Sequence, residues 1–384
     1  MGPLKGIRIV EIAGIGPAPF GCMLLADLGA EVIRIDRLDA DPAMSWGEAR
    51  FDVLGRGKRS VRLDLKRPEG IAALLRLVET ADALVEGFRP GVAERMGFGP
   101  EVCLQRNPRL VFGRMTGWGQ DGPMASAAGH DINYIALTGA LAAIGPKNGP
   151  PSIPLNYVGD FGGGGIYLAL GVVSAILEAS RSGRGQIVDA AMVDGAASLS
   201  ALFYVLDQIG YWQPRGGNFL DGGAPFYGVY ETKDGKYVSI GALEGKFFKE
   251  LLARLEITDI DPAVQNDPGS AAAIRARFTE VFRTRTRREW CSLLEGTDAC
   301  FAPVLEFGEA ADHPHMAARG TFAEIEGVRQ PVPAPRFDRT PATIGCPPPS
   351  AGRDTVEVLA ESGFSDAEIR ELAEAGVTGD DRVS

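Results

Sequence analysis

Histidine is scarce in this chain, with three in 384 residues. The cysteines are few and poorly placed for joint work: Cys22, Cys103, Cys291, Cys300 and Cys346 form an odd set without a Cys-x-x-Cys pair. That pattern excludes a disulfide framework and a zinc ribbon, and it fits a reducing compartment. The longest strongly apolar run, 166–177, is about 12 residues against the roughly 20 of a bilayer span, so a core helix is expected there and no membrane partner. Basic charge is the minority sign, 39 Lys and Arg against 50 Asp and Glu, which argues against a nucleic-acid partner. A charged-then-apolar leader, a Ser or Thr at position 6 and a terminal peroxisomal tripeptide are all missing, so the expected location is cytoplasmic. Internal repeats and low-complexity tracts are missing too.

What is present suffices for a globular protein of about two domains, since 45% of the residues are hydrophobic. A β-branched stretch at 6–13, helical apolar spacing over 20–28 and alternation over 31–36 make a βαβ opening. Strand patterns at 83–86, 110–116 and 186–190 alternate with helical ones at 68–80, 131–144 and 164–179. The expectation is a Rossmann-like α/β domain, a mostly parallel sheet with helices on both faces. Past Asp194 the character changes: an apolar helix runs to about 209, then comes a glycine-rich 215–223. Strand patterns at 228–232 and 236–242 flank Asp234-Gly235, a hairpin turn signal, and helical patterns follow at 244–255, 271–283 and 287–294. These announce a smaller α+β domain. Proline-rich 331–335 and 347–349 mark the departure from it, and a capping box at Ser365-Asp-Ala-Glu368 opens a last helix that stops near Gly376. The expected division is a large domain at 1–190, a linker at 191–227, a small domain at 228–312, a return linker at 313–335, and a closing segment of the large domain at 336–384.

The first βα turn, Gly14-Ile15-Gly16-Pro17-Ala18-Pro19, imitates a dinucleotide fingerprint, with Asp36 ending the next strand. Its third glycine is absent and prolines stand where a helix should approach a pyrophosphate, so a tight strand-to-helix turn is expected. Six Lys and Arg crowd into 56–67. There Arg56, Lys58, Arg59 and Arg62 alternate with glycines, a pattern that suits either a phosphate site or a solvated basic loop. Arg37, Arg89 and Arg95 follow strands, and open α/β sheets bind ligands at strand carboxyl ends. His313 and His315 sit in a polar stretch without an evident acid partner and are expected on the surface. His130 opens an apolar helix after a glycine-rich loop, where the helix dipole favours the neutral imidazole that a general base needs; the alternative is a packed or capping histidine. Asp160 precedes four glycines, 162–165. They suit either close approach to a ligand, with N–H groups ready for an oxyanion, or a capping Asp with close helix packing. Glu244 alone reads as a first-turn helical acid.

Several strings taken together are far more specific than any of these motifs. They are Ala-Gly-His-Asp-Ile-Asn-Tyr (128–134), Leu-Asn-Tyr-Val-Gly-Asp-Phe-Gly-Gly-Gly (155–164), Leu-Asp-Gly-Gly-Ala-Pro-Phe-Tyr (220–227), Gly-Ala-Leu-Glu (241–244) and Gly-Thr-Asp-Ala-Cys-Phe-Ala-Pro-Val-Leu (296–305). From about 4 to 335 the chain resembles the α-methylacyl-CoA racemase branch of the family III CoA-transferase superfamily. The resemblance implies an interlocked homodimer whose active site lies between the large domain of one chain and the small domain of the other. His130 and Asp160 match the two acid/base residues, and Glu244, from the partner chain, matches the acid that hydrogen-bonds the histidine. Arg37, Arg62, Leu63, Asp64 and Leu65 match CoA-contacting positions, as do Gly129, His130, Asp131, Ile132, Asn133 and Tyr134; Arg89 and Arg95 look like further phosphate contacts. The chain departs from the family in carrying Gly245-Lys246 where Pro-Gln is usual. The implied reaction interconverts (2R)- and (2S)-2-methylacyl-CoA through an enolate, with no metal and no cofactor beyond the CoA of the substrate. Two bases suit it, because a proton leaves one face of a carbon and returns to the other. The alternative from the same superfamily is an acyl-CoA:carboxylate CoA-transferase with Asp160 as nucleophile, which has no use for a second base. A CoA-binding protein without turnover needs neither.

Overall fold

The computed structural model describes residues 2–39 and 47–379; the terminus read above for a targeting tripeptide, 380–384, lies outside them, as does Met1. The chain divides into two compact units, the first built from residues up to Thr138, Leu155–Ser200 and the part from Gly320 onward, the second from Gly139–Pro154 and Ala201–Arg319. The first unit opens with β1 (Arg8–Ile12), α1 (Pro17–Asp27), β2 (Glu31–Asp36), β3 (Lys58–Leu63) and α2 (Pro68–Val78). It continues with β4 (Ala83–Glu86), α3 (Val92–Met96), α4 (Pro100–Arg106), β5 (Val111–Thr116) and α5 (Asp131–Leu137). After α6 (Ala140–Ala143) of the second unit come a π-helical segment, Tyr157–Gly165, then α7 (Ile166–Ser182), β6 (Ile187–Ala191) and α8 (Met192–Leu199).

The second unit holds α9 (Ala201–Gln208), β7 (Tyr227–Glu231), β8 (Tyr237–Gly241), α10 (Gly245–Arg254), α11 (Ala271–Phe282) and α12 (Arg287–Leu294). It ends with β9 (Phe301–Val304), α13 (Phe307–Ala310) and α14 (Pro314–Ala318). The chain then returns to the first unit as the hairpin β10 (Phe322–Ile325) and β11 (Val328–Pro331), α15 (Thr355–Glu361), α16 (Asp366–Glu374) and β12 (Thr378–Gly379).

The large sheet runs β12-β3-β2-β1-β4-β5-β6, parallel throughout except for β12 on β3. Its central strands β1, β4 and β5 are buried on both faces, as a covered parallel sheet requires, while the edge strand β6 is partly exposed. Val10, Ile33, Val61 and Phe112 pack with Leu74 and Leu77 of α2, while Ile9, Val32, Val85 and Val111 pack with Leu25 of α1 and Leu168 and Val172 of α7. Strand order reverses between β1 and β4, a switch point that opens a crevice at the carboxyl ends. In the second unit the antiparallel order β7-β8-β9 supports Tyr230, Val238 and Ile240 against Phe248, Phe278, Phe282 and Trp290.

Three kinds of expectation change here: where helices break, where one begins, and how the basic stretch is used. The helix read over 131–144 breaks at Gly139, which takes the left-handed φ of 75°, and the one read to 209 breaks at Ser200 between α8 and α9. The helix read over 164–179 begins earlier, since the chain is already wound at Tyr157, with the Phe161 N–H bonded to the Asn156 carbonyl. The resulting 26-residue helix meets the length and composition of a membrane span. Its glycines are nevertheless buried in helix packing: a Cβ on Gly163 would lie 2.7 Å from the Ala196 N, and one on Gly195 of α8 only 1.9 Å from the Gly163 carbonyl oxygen. The glycines after Asp160 serve close packing between helices, and the amides that follow Asp160 are spent inside the helix.

The third change concerns the basic stretch, which is neither a phosphate site nor a solvated loop at its most conspicuous positions. Lys58 is fully buried, 2.6 Å from Glu11 and 3.1 Å from the Pro19 carbonyl. Arg56 pairs with Asp27 at 2.6 Å and reaches Gln330 and the Pro331 carbonyl, while Arg59 joins Glu31 and Glu361. Lys58 faces inward because β3 is an interior strand, and the acids of β1, α1 and β2 take up Lys58, Arg56 and Arg59 in turn. Burial pushes the carboxyls of Glu11 and Asp27 above their ordinary range, against the pull of Lys58 and Arg56.

Candidate active site

A cavity of about 1010 Å³ opens at the carboxyl ends of the parallel strands. Each strand feeds it through the loop that follows: Gly14 to Ala18 after β1, Arg37 and Asp39 after β2, Asp64 to Lys66 after β3, Gly87 to Pro90 after β4, and Gly117 and Trp118 after β5. Gly129, His130, Asn133 and Tyr134 at the start of α5 line it as well, together with Asp160 of the π segment and Met192. Arg37, Lys66 and Arg89 on this wall have no side-chain hydrogen bond or ion pair among the described residues. Glu86 shapes the Arg89 loop by accepting the Phe88 N–H at 2.6 Å while holding Arg114 at 2.9 Å; burial raises its pKa.

His130 and Asp160 therefore share one cavity. His130 is the residue that precedes α5, with its own N–H donated to Asn133 Oδ1 at 3.0 Å. Asp160 is partly buried, and burial first, then the field of Asp131, holds its carboxyl above the ordinary range; Asn156 and His130 pull the other way. Asn156 donates Nδ2–H to Asp160 Oδ2 at 3.2 Å, and the Asp160 N–H is held by Asp131 Oδ2 at 2.7 Å. The Tyr134 hydroxyl bonds the Gly129 carbonyl and its ring meets Trp118 edge-on, which fixes the loop leading to His130. Leu63, Asp64 and Leu65 reach the wall, but the Arg62 side chain lies along Gly352 and Gly379 under the C-terminal strand, and Arg95 is exposed on α3. Asp131 is buried behind the wall, and Ile132 is exposed off it.

In the second unit Glu244 is exposed immediately before α10, where its carbonyl accepts the N–H groups of Phe247 and Phe248. Gln265, itself buried, fixes the approach by donating to the carbonyls of Ala242 and Leu243. His313 does have an acid partner, Glu295 at 2.7 Å, which corrects the reading of it as an unpartnered surface residue. Lys66, Trp118 and Asn156 were not singled out from sequence. Asn156 had a usable signal, since it stands four residues before Asp160, the spacing at which helical side chains meet. Among the described residues no cluster of three or more His, Cys, Asp or Glu is arranged for a metal ion.

A parallel sheet with its cavity at the switch point, Arg37, Lys66 and Arg89 on the wall and His130 and Asp160 inside frames this site, and the chain belongs to the CoA-transferase family III, whose model matches residues 4–355. Within that family it is similar to the alpha-methylacyl-CoA racemase of Mus musculus, 46% identical over 99% of this chain and 98% of that protein. The Homo sapiens alpha-methylacyl-CoA racemase is 44% identical over 96% of each. Among solved structures, a CAIB/BAIF family protein from Brucella suis superposes with a TM-score of 0.82 at 26% identity, covering 94% of this chain and 99% of that one.

Proposed function

We propose that this protein is a racemase that interconverts (2R)- and (2S)-2-methylacyl-CoA thioesters by 1,1-proton transfer. The observation that carries this reading is the presence of His130 and Asp160 in one cavity. The α-carbon of a thioester becomes acidic because its carbanion is an enolate. One base takes the proton from one face and the other returns a proton to the opposite face. Burial raises the pKa of Asp160, which makes its carboxylate a stronger base. The CoA phosphates are assigned to Arg37, Arg89 and Lys66, and the nucleotide's path to Leu63–Leu65, Gly129, His130, Asn133 and Tyr134. Arg62 and Arg95 lie off the wall and are left out of this assignment. Such contacts are equal in ground and transition states, so they supply affinity rather than rate.

The active enzyme is proposed to be a homodimer in the cytoplasm, working in lipid metabolism, with Glu244 of a second copy supporting His130. Supporting this, α9 buries none of its residues within the chain, and Leu202, Tyr204 and Val205 stand exposed on it; Ile166, Leu170 and Leu177 of α7 do the same. A second copy is the natural cover for that much apolar surface. Analytical ultracentrifugation at micromolar concentration is expected to give the mass of two chains; a stable monomer would remove Glu244 from the proposal.

The transferase reading differs in chemistry, since Asp160 would then attack the thioester carbonyl and carry the acyl group. One experiment separates the two. A single epimer of a 2-methylacyl-CoA incubated in D2O is expected to take up deuterium at the α-carbon as its configuration is lost. An acyl group trapped on Asp160 by hydroxylamine, with no deuterium uptake, would replace the racemase by the transferase.

A further inference from the structure

Asp131 stands next to His130 in sequence, yet its side chain serves the other base. It is 7% exposed, and its Oδ2 accepts the Asp160 N–H at 2.7 Å. Its other oxygen, Oδ1, is buried without a hydrogen-bond partner among the described residues. Leaving a carboxylate oxygen unsatisfied inside a protein is costly, and an apolar residue would avoid the cost. The backbone is also built to admit this group: a Cβ on Gly159 would come within 2.5 Å of Asp131 Oδ2.

We propose that Asp131 is a positioning residue that couples the two bases, fixing Asp160 to the same first turn of α5 that carries His130. The inference rests on the racemase reading. Two groups that work on opposite faces of one carbon must keep a set separation, and here a single residue joins the turn bearing one to the backbone bearing the other. Burial does most to raise the Asp160 pKa, and the Asp131 carboxylate adds to it, against the pull of the Asn156 amide and His130. Tyr134 is the other titratable group nearby, with Arg89 beyond it. The faces of α1 and α8 packed on the π segment present uncharged Pro17, Phe20 and Met192.

The test compares Asp131→Ala with Asp131→Asn, following α-proton exchange of each epimer in D2O as a function of pH. Asparagine keeps an oxygen acceptor for the Asp160 N–H and removes the charge; alanine removes both. Asp131→Ala is expected to lose up to about 100-fold in kcat for both epimers with little change in KM, the scale of a small misplacement of reacting groups. Asp131→Asn is expected to recover most of that loss. Removing a negative neighbour lowers the Asp160 pKa, so the rising limb of the profile for the epimer that Asp160 deprotonates should move to lower pH in Asp131→Asn. Should Asp131→Ala fail to fold, that limb decides alone. A raised KM with intact kcat, or a limb that stays in place, would overturn the inference. Asp160→Asn run beside them separates the two levels: if it still exchanges both epimers, the racemase reading has failed, whereas one-sided loss there with wild-type behaviour in both Asp131 variants sinks only the role of Asp131.

Discussion

Two sets of cations in the first unit do opposite work. Arg56, Lys58 and Arg59 are dense in sequence and consumed by acids of the fold, whereas Arg37, Lys66 and Arg89 are scattered in sequence and meet on the cavity wall with no partner among the described residues. Local density of charge is therefore a poor guide to its availability. Position relative to the sheet matters: Lys58 in β3 points into a covered layer, and Arg37, Lys66 and Arg89, past their strands' carboxyl ends, line the crevice.

The comparison can be broken most forcefully at Lys58. Lys58→Met leaves Glu11 as an unpaired buried acid and should cost about 3–5 kcal/mol, the usual penalty for orphaning a buried charge, read as a lower urea midpoint. The pH dependence has a definite sign. Without Lys58 the folded-state pKa of Glu11 rises further, so the variant is most stable where Glu11 is protonated in both states and loses stability as pH climbs through the folded value. KM for acyl-CoA should not change in the protein that remains folded. Arg37→Ala should do the reverse, raising KM about tenfold, as loss of one charge-assisted contact does, with kcat and the thermal midpoint unchanged. The smallest effect is expected for Arg59→Ala, whose partly exposed pairs with Glu31 and Glu361 are worth below about 1 kcal/mol; a raised KM there would put Arg59 with the wrong set.

Much of the first unit was legible because parallel strands and their helices write strong periodicities: β2 and β4 lie where 31–36 and 83–86 placed them, and the Asp234-Gly235 turn joins β7 to β8. His130 at the mouth of a helix was legible for the same reason. What sequence could not give was long-range pairing. Nothing local tells that Lys58 will meet Glu11, or that Asp131 will turn from its own helix to the Asp160 amide, since each depends on how separate elements stack. The four glycines left the choice open for a related reason: glycine marks close approach but not whether the visitor is a ligand or another helix, and here the neighbours of Gly163, Gly164 and Gly165 include α1 and α8.

The central claim is that two different groups serve two faces of one carbon, and it is tested most directly by α-proton exchange in D2O measured separately for each epimer in His130→Ala and in Asp160→Asn. The account predicts complementary defects, each variant losing exchange with one epimer and retaining it with the other, while both lose net inversion. Abolished turnover in Asp160→Asn with substantial activity for both epimers in His130→Ala would contradict it.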